Sequence, residues 1–72
     1  MKNTFEKSKE IFSEALNCLE QEDFVNAEKK LLESYNLTPD RISISSNLVQ
    51  IYIKLEDSIK LNNFLKKIDN FE

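Results

Sequence analysis

The 72-residue chain contains no glycine and no histidine, and it has one proline and one cysteine. Without glycine there is no easy route to the positive-φ turns of two-residue β-hairpins, nor to the loops that cradle phosphates and nucleotides. Without histidine there is no imidazole base and no imidazole metal ligand, so neither an enzyme nor a cofactor is expected. A lone cysteine, Cys18, cannot form an internal disulfide, which suits a reducing cytoplasm. No apolar run approaches the ~20 residues needed to span a membrane, and the stretch MKNTFEKSKE lacks the apolar centre of a signal peptide. A cytoplasmic chain without a membrane partner is expected.

What is present is a mixed, soluble composition. Charged residues make up 32% and hydrophobic residues 40%, with a formal net charge of −3. The basic pairs Lys29-Lys30 and Lys66-Lys67 have acidic neighbours, so they read as solvated helix faces rather than as a nucleic-acid stripe. Seventy-two residues allow one small domain, and a chain of this size buries only ~60% of its unfolded surface. Support from a second subunit, a partner or more chain is therefore expected.

Apolar residues recur at helical spacing along almost the whole chain. Phe5, Ile11, Phe12, Ala15, Leu16, Cys18 and Leu19 fill one broad arc of a first helix, which Asn3 and Glu6 are placed to cap. Asp23 is placed to cap a second helix carrying Phe24, Ala27, Leu31 and Tyr35. Pro39 pushes Thr38 out of the helical region and stops that helix near Leu37. Asp40 then stands as the expected cap of a third helix, and Asp57 as that of a fourth. The spacing predicts helices near 3–21, 24–37, 41–55 and 58–70.

A shift of 34 residues places Glu22-Asp23 on Glu56-Asp57, Leu31 on Leu65, Leu19 on Ile53 and Cys18 on Tyr52. The apolar pattern and both hairpin turns fall in register. "NLVQIYIKLEDSIKLNNFLKKI" and "LEQEDFVNAEKKLLESYNLTPD" then resemble the tetratricopeptide repeat, whose unit is a 34-residue helix–turn–helix. Leu48 and Tyr52 match its first-helix leucine and tyrosine, Ala27 its buried alanine, and Pro39 its closing proline. The resemblance implies one all-α domain over 1–72, with two antiparallel helical hairpins stacked as a short α-solenoid. Its units run from about 8 to 41 and from about 42 to 72. There are departures from the pattern. Glu22 and Glu56 replace the turn glycine, so each turn must avoid the left-handed region or accept a cost of ~1–2 kcal/mol. Ile68 stands where a small residue normally receives the next helix.

Candidate chemistry is sparse. Cys18 falls on a core face and reads as a small buried hydrophobe rather than a reactive thiol. The cluster Glu20, Glu22 and Asp23 lacks the kinked loop and ligand alternation of a calcium site. By resemblance, the first helix of each unit lines a concave groove for a protein or peptide partner. The matching positions include Lys9, Phe12, Leu16, Leu19, Ser46, Gln50 and Ile53. Phe12 and Leu16 stand where members that grip a terminal carboxylate carry lysine and asparagine, so an apolar segment is the better expected occupant.

The expected function is a non-catalytic protein-interaction module, as an adaptor or as the N-terminal repeat region of a longer protein. The alternative is a structural element whose apolar faces only hold copies together. On the last helix Leu61 and Leu65 are expected in the hairpin core. Phe64, Ile68 and Phe71 are expected to lack cover within the chain and to pair two copies as a homodimer.

Overall fold

The structure is a computed structural model in which residues 3–69 are described. Four helices follow one another: α1 (Thr4–Glu20), α2 (Phe24–Leu37), α3 (Ile42–Lys54) and α4 (Ser58–Asp69). The main contacts join consecutive helices, α1 to α2, α2 to α3 and α3 to α4. The result is an all-α stack, a slab with extents of 38 × 33 × 14 Å.

The turns inside the two hairpins are the same object. At the end of α1 the Asp23 N–H donates to the Cys18 carbonyl at 2.9 Å and the Glu22 N–H to the Leu19 carbonyl at 3.0 Å. At the end of α3 the Asp57 N–H donates to Tyr52 at 3.0 Å and the Glu56 N–H to Ile53 at 3.1 Å. This is the paired closure of a Schellman motif, which requires a left-handed residue just beyond the helix. Glutamate fills that position twice, at φ 59° for Glu22 and 56° for Glu56. Each turn therefore takes the cost rather than avoiding the left-handed region.

The aspartate that follows does double duty. Asp23 Oδ1 accepts from the Asn26 N–H and Asp57 Oδ1 from the Lys60 N–H, so each aspartate ends one helix and caps the next. Asn3 caps α1 through the Glu6 N–H at 2.8 Å. The expected cap at Asp40 is not made. The Arg41 N–H closes a turn onto the Thr38 carbonyl at 3.2 Å, which leaves Asp40 inside the turn. Arg41 becomes the N-cap of α3 and supplies no side-chain bond to it.

Ala15, Ala27, Leu31, Tyr35, Ile44, Leu48, Ile51, Tyr52 and Phe64 form one buried cluster. Phe64 is 5% exposed, against the expectation that it lacks cover. The rings of Tyr35 and Tyr52 meet it edge-on at centroid distances of 5.2 and 6.1 Å. Ile68 is half-buried against the same cluster, and Phe71 lies outside the described residues. Leu61 is half-buried as well, whereas Leu65, expected in the core, is 42% exposed. Its counterpart Leu31 is fully buried because α3 follows α2 and covers it, and no helix among the described residues follows α4.

The two hairpins also differ at their open ends. Ser8 on α1 and Ser34 on α2 are fully buried and face each other. Their hydroxyls stand 2.8 Å apart, Ser34 Oγ donates to the Ser8 carbonyl at 2.9 Å, and Ser8 Oγ lies 2.6 Å from Thr38 Oγ1. Small residues let the helices approach closely, and the three hydroxyls satisfy one another. In the second hairpin the positions 34 residues on hold Ile42 and Ile68. Ile42 is exposed there and Ile68 half-buried, so no such latch forms.

Candidate interaction groove

α1 and α3 stand side by side because each packs against α2, α1 as its hairpin partner and α3 as the next helix in the stack. Between them runs a shallow groove of about 200 Å³, lined by Leu19 of α1, Phe24 at the start of α2, and Asn47, Gln50, Ile51 and Lys54 of α3. Leu19, Phe24 and Ile51 make it partly apolar, and Asn47, Gln50 and Lys54 make the rest polar. Lys54 holds its ammonium 5.5 Å from the Phe24 ring centroid.

At the other end of the same stripe Arg41 closes over α1. Its guanidinium lies 5.2 Å from the ring centroid of Phe5 and 5.6 Å from that of Phe12. The Lys9 ammonium lies 5.7 Å from the Phe5 ring as well. One buried guanidinium nitrogen, Nη1, has no hydrogen-bond partner among the described residues. A guanidinium stacked on two rings is held by its faces rather than by its edges. Sequence reasoning missed this clamp. The only signal for it was that the sole arginine of the chain directly precedes the third helix.

The structure divides the residues expected to form the groove. Leu19 and Gln50 line it together. Phe12 sits half-buried under Arg41, and Lys9 lies beside it on α1. Leu16 is exposed next to them, above a hollow it shares with Glu10, Ser13, Glu14, Asn17 and Glu20. Ser46 is turned the other way, into a hollow between α3 and α4, and Ile53 is exposed beyond the groove. Comparison with family models, curated proteins and solved structures finds no match. The chemistry of the chain therefore stands on its own residues.

A polar knot on the opposite side fixes the stack that forms the groove. The Tyr52 hydroxyl of α3 donates to Glu28 Oε2 of α2 at 2.9 Å, and Lys60 of α4 reaches Glu28 Oε1 at 3.3 Å. Burial of the phenol, and then its bond to Glu28, raise the pKa of Tyr52 above the usual tyrosine value. Lys30 of α2 pairs with Glu14 of α1 at 2.9 Å, and that hydrogen bond raises the lysine pKa. The second pair is solvent-exposed and contributes mainly alignment. Neither contact was legible in the sequence, since both join residues distant along it.

Among the described residues no group of three or more His, Cys, Asp and Glu side chains is arranged to hold a metal ion. Cys18 is half-buried against the core cluster. Asp23 is engaged as a helix cap, and no helix is long and apolar enough to cross a membrane.

Proposed function

We propose that the chain is a non-catalytic protein-interaction module resembling two tetratricopeptide repeats, and that it takes an apolar peptide or helix along α1 and α3. The observation that carries this reading is the groove itself. Residues of two helices from successive hairpins line one groove with Leu19, Phe24 and Ile51 exposed to it, Leu16 stands exposed elsewhere on α1, and Arg41 stacks on Phe5 and Phe12. The recurrence of one turn, hydrogen bond for hydrogen bond, 34 residues apart supports the repeat character. The cytoplasm is the proposed location, supported by the single unpaired Cys18.

Selection from a random peptide library on the immobilised full chain tests the reading. Enriched peptides should be rich in apolar residues, and their binding should fall roughly tenfold or more in Leu16→Glu, which places a charge in the apolar contact. A selection that enriches nothing would overturn it, and so would peptides indifferent to Leu16→Glu.

A further inference from the structure

α4 is the most lightly seated helix of the stack. Phe64 is its one buried side chain among the described residues, set between the rings of Tyr35 and Tyr52, while Leu61 and Ile68 are half-buried. Its polar ties are two exposed lysines. Lys60 lies 3.3 Å from Glu28 Oε1, and the Lys67 ammonium lies 5.5 Å from the Tyr35 ring centroid. Exposed ties of this kind hold little. The link that returns the chain from α3 to α4 is three residues long, Leu55, Glu56 and Asp57, and it closes with Glu56 held at φ 56°. A Cβ in that region weights the closed turn against an open one roughly tenfold. No glycine relieves that cost, so the link is a hinge that gains by opening.

We propose that two copies of the chain exchange α4, so that Phe64 of each fills the seat between Tyr35 and Tyr52 of the other. The fold itself names the occupant. An exchanged helix makes the contacts that it makes at home, so no new surface has to fit, and the reciprocal exchange closes on a two-fold axis. Both hinges then leave the left-handed region, and a short hinge under strain favours exchange. Extended, its three residues span about 10 Å, enough to hand α4 to an adjoining copy. The other two links offer no such route. Glu22 strains its turn in the same way, but α1 is held on α2 by the buried hydroxyls of Ser8 and Ser34 and by the Glu14–Lys30 pair. Between α2 and α3 no residue has positive φ, and Arg41 is stacked on Phe5 and Phe12. Where the two hinges meet, Glu56 and Asp57 of both copies come close in a chain of net charge −3, so salt should favour the pair. α1, α2 and α3 stay together within each chain, and the groove is the same in both forms.

A helix tethered beside its own seat has an effective concentration on the order of millimolar. Relief at two hinges lowers the concentration needed for exchange roughly a hundredfold, so the pair should dissociate on the order of 10–100 µM. Sedimentation equilibrium of the full chain from about 10 µM to 1 mM spans that range and should show the mass rising from one chain to two. Isotope-labelled and unlabelled chains, mixed in equal amounts and left to equilibrate, identify the contact. A carbodiimide joins a carboxylate and an ammonium that touch, and the intrachain amide of the monomer shows that Glu28 and Lys60 react. In the dimer fraction, mass spectrometry should find Glu28 of one isotope joined to Lys60 of the other. A dimer built on any outer face would join them only within one isotope. Glu56→Gly should weaken the pair roughly tenfold by relieving the closed turn, whereas Glu56→Ala keeps the Cβ and should leave it intact. A chain that stays monomeric throughout overturns the proposal. So does a dimer without the mixed amide, or one that Glu56→Gly weakens no more than Glu56→Ala does. Peptide selection that depends on Leu16 is untouched by each of these outcomes, so the two readings fail separately.

Discussion

Replacing Glu22 and Glu56 with glycine should make the protein more stable. Both residues are held at positive φ, 59° and 56°, where a Cβ costs ~1–2 kcal/mol relative to a right-handed conformation. Glycine removes that cost and adds roughly 0.5–1 kcal/mol of unfolded-state entropy against folding. The net gain per site is about 0.5–1 kcal/mol, the two turns are independent, and the double variant should gain about 1–2 kcal/mol. For a domain of this size, that is on the order of 3–6 °C in Tm per site. Thermal and urea unfolding followed by circular dichroism would measure it, with the urea m-value unchanged if the native state is intact. A control is needed because glycine also removes a negative charge from a chain of net −3. Alanine removes the charge and keeps the Cβ. If Glu22→Ala and Glu56→Ala raise Tm as much as the glycine variants do, strain is not the cause. A fall in Tm for either glycine variant would refute the argument outright.

Two further outcomes follow from the core. Phe64→Ala should cost ~3–5 kcal/mol, close to the whole stability of a chain this long, roughly 4–11 kcal/mol, so its unfolding transition should nearly vanish. An unchanged transition would mean that Tyr35 and Tyr52 do not cover the ring. Tyr52→Phe should cost ~1–2 kcal/mol at pH 8 by stripping Glu28 of a buried donor. Because folding raises the Tyr52 pKa, the stability it carries is complete below the ordinary tyrosine pKa of about 10 and is lost as pH rises beyond it. The gap between wild type and Tyr52→Phe, read from urea midpoints at a series of pH values, should therefore narrow above that point. A gap that widens there would contradict the placement.

The elements were legible because their signals are local. Asn3, Asp23 and Asp57 cap helices through bonds that span three residues, and Pro39 acts on its immediate neighbour. Asp40 misled because two overlapping turns compete for the same stretch, and the bond from Arg41 to Thr38 settles which one forms. The misassignment of Phe64 and Leu65 has another origin. They are adjacent on one apolar stripe, and only the positions of α2 and α3 decide that the first is buried and the second is not. The groove was half legible for the same reason. Periodicity picks out the face of α1, but helix rotation within the stack decides that Gln50 meets Leu19 while Ser46 turns outward.

The contrast between Ser8 with Ser34 and Ile42 with Ile68 bears on how the chain comes apart. Contacts join mainly neighbours in sequence, so the stack behaves as a row of coupled units rather than as one indivisible core. The first hairpin is latched at its open end by buried hydroxyls, whereas the second has the exposed Ile42 and the half-buried Ile68 at the same positions. α4 also has only one side of its apolar stripe covered. Opening therefore begins at α4 and moves toward α1, and the first hairpin is the last part to let go. The fold is graded along its length, with the rigid end at the aromatic clamp and the yielding end at α4.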